Sequence, residues 1–342
     1  MKTHLIITGC RGFIGMNFIN EIIPFIKSDN HNISGITLVD AGLLEPDKHW
    51  EWMVEENYKI YQQLESICKT NKLDLFDFSS DINDQTFTKI PNTQNSKFIV
   101  VNFASESHVD NSIEDPFSVF KQNSCLIPNL INWLGMNNIQ EFVQIRTDEE
   151  YGQLDSSDAT PFKLGDTLQP RNPYSSSKAS QTLFLRSLEE TFNLNVKYVV
   201  LANQYGSYQH FSKLIPYTIK KLLQGQPARI YGTGEELREW TFVEDTCKQL
   251  FNFIFNNEQD INEIHISNPK GIISNNDLVD KIIKYIDEKN ITKKCKKEFT
   301  ENRLGHDFCY KLESQDFDYE DFDSSLEQTI DFYINYYQTS NE

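Results

Sequence analysis

Short apolar runs alternate with longer segments of helical period through the first 200 residues. His4–Thr8, Ile36–Asp40, Leu73–Phe78, Phe98–Phe103, Phe142–Thr147 and Val196–Ala202 read as strands. Helical patterns start at Phe13 and cover Ser118–Leu134 and Pro173–Phe192. Apolar strands that alternate with helices predict a parallel sheet covered on both faces. The fold class is therefore α/β, a doubly wound parallel sheet. After residue 203 the alternation is less regular. Loops at Gly206–Ser212 and Gly232–Glu236 precede helical segments at Lys213–Leu223 and Val243–Phe255, and Glu313–Asp323 is very acidic. Residues 1–200 are expected to form the main domain and residues 201–342 a smaller α/β lobe interlocked with it. The long charged and aromatic link 43–71 reads as a surface insertion that contains a helix.

The chain has 342 residues, enough for a large core, and its net charge is -18. An acidic surface opposes nucleic-acid binding, so an anionic ligand must be held by local cations and backbone amides. The six cysteines are scattered without a C-x-x-C pair, which predicts thiols of a cytoplasmic protein and no metal site. No run approaches the roughly 20 apolar residues of a membrane span, and the N-terminus does not read as a signal peptide.

Gly9-Cys10-Arg11-Gly12-Phe13-Ile14-Gly15 follows the first strand and opens a helix. In that setting one glycine makes the tight turn, one admits a pyrophosphate and one lets the helix pack on the sheet. Asp40 ends the second strand, where a carboxylate binds ribose hydroxyls and repels a 2′-phosphate. Arg11 argues the other way, and the balance favours NAD over NADP.

Tyr174 and Lys178 share a helix face at a spacing of four. An ammonium beside the phenol would lower its pKa and prepare it to take a hydroxyl proton. Two other pairs, Tyr217/Lys221 and Tyr285/Lys289, repeat the spacing and read as surface pairs. Thr147-Asp148-Glu149 ends the fifth strand, at the sheet edge where open α/β folds bind ligands. Two adjacent carboxyls can divide acid and base work there.

Several segments together carry a family pattern. They are Phe103–Asp110, Thr147-Asp148-Glu149 with Tyr151-Gly152, Pro173-Tyr174 through Lys178, Lys213–Pro216, Ile230–Gly232, Arg238–Trp240 and Gly305–Asp307. From Gly9 to about Asp307 the chain resembles the extended short-chain dehydrogenases and, within them, the nucleotide-sugar 4,6-dehydratases. The resemblance implies a Rossmann-type sheet and a C-terminal substrate-binding lobe. It implies that Tyr174, with Thr147 and Lys178, oxidises C4 of a hexose. Glu149 would remove the C5 proton and Asp148 would protonate the departing C6 hydroxyl. It further implies cofactor contacts at Gly9, Arg11, Gly12, Phe13, Ile14, Gly15, Asp40, Asp81, Ile82, Phe103, Ala104, Ser105, Asn123, Tyr174 and Lys178. Nucleotide-sugar contacts would come from Ser107, Asn203, Lys213, Leu214, Tyr231, Arg238, Arg303 and His306. Arg238, Lys213 and Arg303 are the cations for the diphosphate. No metal is implied, and a homodimer through Ser118–Leu134 and Pro173–Phe192 is.

Some positions depart from the family pattern. Arg146 stands where a small residue is usual, and a buried guanidinium there needs Asp148, Glu149 or the cofactor as partner. Asn111 stands where glucose-specific members tend to have Arg. Such changes leave the sugar more open than the reaction. A UDP-hexose, UDP-N-acetylglucosamine or UDP-glucose, is the leading donor, with dTDP-glucose behind it and 5-epimerisation as an added outcome. A UDP-sugar 4-epimerase and a non-catalytic NAD-binding regulator are the rival readings.

Overall fold

The computed structural model describes all residues except 1, 29–30, 42–50, 80–81, 83–89, 91–95, 257–260, 292–295, 303–306, 316 and 340–342. Its main sheet has seven strands in the order β10-β6-β5-β4-β1-β2-β3. These are β1 (Lys2–Thr8), β2 (Ile33–Asp40), β3 (Asp74–Ser79), β4 (Ser96–Asn102), β5 (Ile139–Thr147), β6 (Val196–Leu201) and β10 (Glu263–Ile266). β1 pairs in parallel with β2 and β4, β2 with β3, and β4 with β5. The order reverses between β1 and β4, which makes the carboxyl ends of those strands the ligand-binding edge of a doubly wound sheet. This is the Rossmann-type α/β fold that the alternation predicts.

The central strands are apolar because both faces are covered. Leu5, Ile6 and Ile7 have no exposed surface, nor do Val100, Val101, Phe142 and Val143. Helix α1 (Phe13–Lys27) buries Met16, Phe18, Ile19, Ile22, Ile23 and Ile26 along one stripe. Helices α4 (Pro116–Leu134) and α5 (Pro173–Phe192) send Leu126, Ile127, Leu130 and Leu185 into one core with Phe98, Phe142 and Tyr198. The expected helix in the 43–71 link is α2 (Glu51–Asn71).

The chain divides into two compact units that interleave in sequence. The first comprises Met1–Glu150, Asn172–Val200 and Cys247–Ile264; the second comprises Tyr151–Arg171, Leu201–Thr246 and His265–Glu342. A single boundary at residue 200 is therefore crossed in both directions, because most of α7 (Val243–Phe255) and the start of β10 belong with the first unit. In the second unit, β7 (Asn203–Tyr205), β9 (Leu237–Phe242) and β11 (Ile272–Ser274) form a three-stranded sheet. A parallel pair, β8 (Ala228–Tyr231) and β12 (Lys297–Thr300), lies beside α6 (Leu214–Leu223) and α8 (Asn275–Glu288). Helix α9 (Phe322–Thr339) packs on α6 and β9. Among the described residues no helix is long and apolar enough to cross a membrane.

One buried residue of β1 is a histidine. His4 is buried in β1, shares a hydrogen bond of 2.8 Å with Thr37, and stacks on Phe76. A Cβ at Gly35 would lie 2.7 Å from its ring, so a glycine leaves room for the imidazole. Burial pushes its pKa down to about 4. The folded imidazole stays neutral where the unfolded one, near 6.5, takes a proton. Stability present above pH 6.5 is therefore lost as pH falls toward 4, by about 2–3 kcal/mol at pH 4.5. Urea unfolding at pH 7 and 4.5 checks this: His4→Gln is expected to remove most of that pH-dependent increment, and an unchanged increment would assign it elsewhere.

Candidate active site

The glycine loop sits at the switch between β1 and β4. Gly9 has φ +65°, and a Cβ on it would lie 2.6 Å from the Ala104 nitrogen. A Cβ on Gly15 would lie 2.3 Å from the Gly9 carbonyl oxygen. Both are glycines because backbone passes too close for any side chain. Gly12 caps α1 with no side-chain bond, so the first-turn N–H groups of α1 have no side-chain cap at the loop. Phe13 and Ile14 follow it, half-buried. The carboxylate of Asp40 accepts the Arg11 backbone N–H at 2.8 Å. The Arg11 guanidinium makes a two-pronged pair with Asp77 of β3, at 2.7 and 2.9 Å. A dinucleotide thus fits the residues present: a bare backbone cradle for its phosphates and a carboxylate at the end of β2.

A buried polar ladder runs from this loop to α5. Thr8 donates to Asn102, Asn102 to Gln144, Gln144 to Gln181, and Gln181 to the Asn123 carbonyl, over 2.5–3.0 Å. Asn123 spends its side-chain amide on Ser177 and on both backbone groups of Glu106. Asn123 and Ile82, both expected at the cofactor, are buried, Asn123 as this bracket and Ile82 in the apolar core. Asp81 lies outside the described residues. Phe103, Ala104 and Ser105 are half-buried at the end of β4, and Ser107 is exposed.

β5 ends at Thr147, and one 3-10 turn covers Asp148–Tyr151. Thr147 Oγ1 donates to Asp148 Oδ1 at 3.2 Å, and Asp148 is buried. Glu149 is half-buried, and its Oε2 accepts the Asn172 side-chain N–H at 2.9 Å. Asn172 is the N-cap of α5: its Oδ1 accepts the Ser175 N–H, and Pro173 follows at the first helical position. Tyr174 and Lys178 then rise from the same helix, both buried.

Their electrostatics differ from the sequence expectation. The Tyr174 phenol is pushed well above its ordinary pKa by burial and by Glu149, Glu150, Asp148 and Glu106. Lys178 stands one turn further along the helix. Its Nζ donates to the Ile145 carbonyl of β5 at 2.8 Å, and burial pushes its pKa down to about 8. The four-residue spacing does place both groups on one face. The long lysine chain turns back to the strand, and four carboxylates outweigh it at the phenol. The buried Arg146 guanidinium pairs with Glu150 at 3.0 Å and with Glu263, two carboxylates beyond those expected for it.

The residues expected at the nucleotide sugar, Ser107 apart, belong to the second unit or fall outside the described residues. Asn203 opens β7, Lys213 caps α6, Leu214 starts it, and Tyr231 is exposed at the end of β8. Arg238 is buried, and its guanidinium donates to the carbonyls of Leu237, Asp307 and Phe308 at 2.8–3.2 Å. These bonds brace that segment. Arg303 and His306 lie outside the described residues. Lys221 and Lys289 sit over the rings of Tyr217 and Tyr285, unlike Lys178.

A glycine-loop sheet with a Thr-Asp-Glu turn and a Tyr/Lys helix defines an extended short-chain dehydrogenase of the nucleotide-sugar dehydratase class. The chain belongs to the GDP-mannose 4,6 dehydratase family, whose model matches residues 6–314. It is similar to the low-salt glycan biosynthesis protein Agl12 of Haloferax volcanii, 30% identical over 96% of this chain and 98% of that protein. It is 27% identical to a dTDP-glucose 4,6-dehydratase of Xanthomonas campestris pv. campestris, over 98% and 93% of the two chains. Among solved structures, DesIV, a dTDP-glucose 4,6-dehydratase from Streptomyces venezuelae with NAD and TYD bound, superposes with a TM-score of 0.78 at 24% identity, covering 97% of both chains. The UDP-glucuronic acid 4-epimerase of Bacillus cereus superposes at 0.79 and 18% identity, over 98% of this chain and 100% of that one.

Asn172 escaped the sequence reading, although Asn-Pro ahead of a helical run is an N-cap signal. Asn172→Ala should cost about 1 kcal/mol of stability. On the role proposed for Glu149 below, it should also lower kcat about tenfold with KM little changed, because that carboxylate loses its 2.9 Å bond to Asn172. Steady-state kinetics beside a melting curve check this; a KM effect alone would count against it.

Proposed function

We propose that this protein is a 4,6-dehydratase of a pyrimidine-nucleotide-linked glucose, with NAD as its cofactor. One observation carries the reading: Asp148, buried against Thr147, and Glu149, half-buried against Asn172, stand together at the sheet edge within electrostatic reach of Tyr174. Two neighbouring carboxyls in different surroundings suit an elimination that needs one acid and one base. Thr147 would hold the 4-hydroxyl, and Tyr174, a protonated phenol at rest, would take its proton as the phenolate, a form that the positive charge of bound NAD and of Lys178 would favour. The Gly9–Gly15 loop and Asp40 would hold NAD, which would supply the hydride acceptor for C4 and the hydride donor for C6. With C4 a ketone the C5 proton is acidic, and Glu149 removes it. Asp148 gives a proton to the C6 hydroxyl, which leaves as water, and a proton goes back to C5 from Glu149 as C6 is reduced.

NAD is favoured over NADP because the Arg11 charge is already met by Asp77, and Asp40 lies beside it. A 2′-phosphate would face two carboxylates there. NAD in the DesIV structure supports the same choice. The dTDP-glucose 4,6-dehydratases among the relatives favour dTDP-glucose as donor. A UDP-hexose is the second reading, on Asn111, whose side chain bonds Glu106.

Incubation with NAD and each of dTDP-glucose, UDP-glucose and UDP-N-acetylglucosamine, followed by NMR, tests the proposal. A 6-methyl signal beside a C4 ketone is expected with one donor, and the C5 configuration reads any epimerisation. Glu149→Gln and Asp148→Asn should each lower turnover about 10²–10⁴-fold. A product that keeps its C6 hydroxyl with every donor sinks the dehydratase reading.

The protein also pairs with itself in this reading. Phe117 of α4 is 85% exposed, and Phe120, Leu183 and Phe184 are exposed on α4 and α5. Light scattering should give a dimer, and Phe117→Glu with Leu183→Glu a monomer. A monomeric wild-type chain at micromolar concentration is the contrary result.

A further inference from the structure

Arg146 and Glu150 bracket the Thr147–Glu149 turn, and neither side chain has exposed surface. Arg146 Nε donates to Glu150 Oε2 at 3.0 Å. Glu150 also accepts the Thr182 hydroxyl at 2.9 Å and the Thr147 backbone N–H at 3.4 Å. The other side of Arg146 bonds Glu263 of β10, 117 positions along the chain. Glu263 is shared with Arg186 of α5 at 3.3 Å, and both guanidinium groups lie against the Tyr198 ring of β6. Tyr198 in turn donates to Glu189 at 2.5 Å. The turn that carries Asp148 and Glu149 is thus tied to β5, β6, β10 and α5 through charged side chains.

We propose that Arg146 and Glu150 are positioning residues for the reaction: the pair clips the two ends of the catalytic turn together and holds a fixed negative charge beside Tyr174 and Lys178. The proposal rests on the roles given to those two residues under Proposed function. A pair needed only for packing could be apolar, since a buried ion pair is seldom worth more than apolar groups of the same volume. Here the charge has neighbours to act on. Lys178 faces Glu150, which favours its charged form, and Arg146, which opposes it. Tyr174 faces Glu150 together with Glu149, Asp148 and Glu106. Glu150 is the carboxylate that both groups share, and three hydrogen bonds fix its place.

Glu150→Gln tests this, because it keeps the shape and an acceptor and removes the charge. The ¹³Cε resonance of Lys178, assigned by its loss in Lys178→Met, reports the lysine directly. Its titration midpoint is expected to fall by about one pH unit in Glu150→Gln. Both limbs of the kcat–pH profile should move to lower pH with KM within about twofold. An unmoved midpoint with unmoved limbs overturns the proposal, whatever the drop in rate. If circular dichroism shows Glu150→Gln unfolded, the paired variant Arg146→Met/Glu150→Leu removes both charges at similar volume. It is expected to fold and to lose at least tenfold in kcat with little change in KM; wild-type kcat in that variant overturns the proposal. The lysine titration needs no sugar nucleotide. A shifted midpoint in a protein that turns over no donor supports the charge placement and sinks only the dehydratase reading.

Discussion

A lysine ammonium held out of water at the carboxyl end of a parallel sheet is the constraint around which the first unit is built. Taking such an ion out of water costs several kcal/mol unless charge and hydrogen bonds replace the lost hydration. Lys178 has the Ile145 carbonyl and the field of Glu150, and it is still pushed down to about 8. Glu150 needs Arg146 beside it, and Arg146 needs Glu263 as well. Each buried charge calls for the next, until the chain ends at the half-exposed Arg186. The sequence order Arg-Thr-Asp-Glu-Glu places the carboxyls of the proposed elimination directly beside the ion pair that braces them.

The glycine loop after β1 obeys a different constraint, one of space. Gly9 and Gly15 lie where backbone from the Ala104 segment and from the loop itself comes within 3 Å of any added carbon. The loop is then joined to α5 by neutral amides and hydroxyls in a ladder whose members are almost wholly buried. Satisfied polar groups of this kind specify one arrangement of strands, because a slip leaves buried donors without acceptors. The glycine loop and the Tyr/Lys helix are thereby registered on each other without a charge between them. In the second unit, Arg238 acts in the same spirit, with its guanidinium closed on three carbonyls and lying 4.7 Å from the centre of the Tyr310 ring.

Much of this was legible beforehand. Strands buried on both faces must be apolar along their length, so the six runs of the first half announced themselves. The glycine spacing, Asp40 and the Thr-Asp-Glu and Tyr/Lys motifs are local patterns, and each lies where its strand–helix context implied. The three-residue strands β7 and β11 were not legible, since such short runs have no period to read. Asn172 had a local signal as a helix cap, but its grip on Glu149 across 23 positions had none.

The sequence by itself determined the parallel sheet, the phosphate loop and the set of side chains able to take and give protons. Those depend on the spacing of neighbours along the chain. Tertiary structure alone decided which state those side chains rest in. Desolvation and the sum of distant charges set the phenol high, turned Lys178 to a strand carbonyl, and paired Arg146 with a glutamate more than a hundred residues away. Electrostatic energy depends on distance through space and on the exclusion of water, and neither quantity exists before the chain has folded.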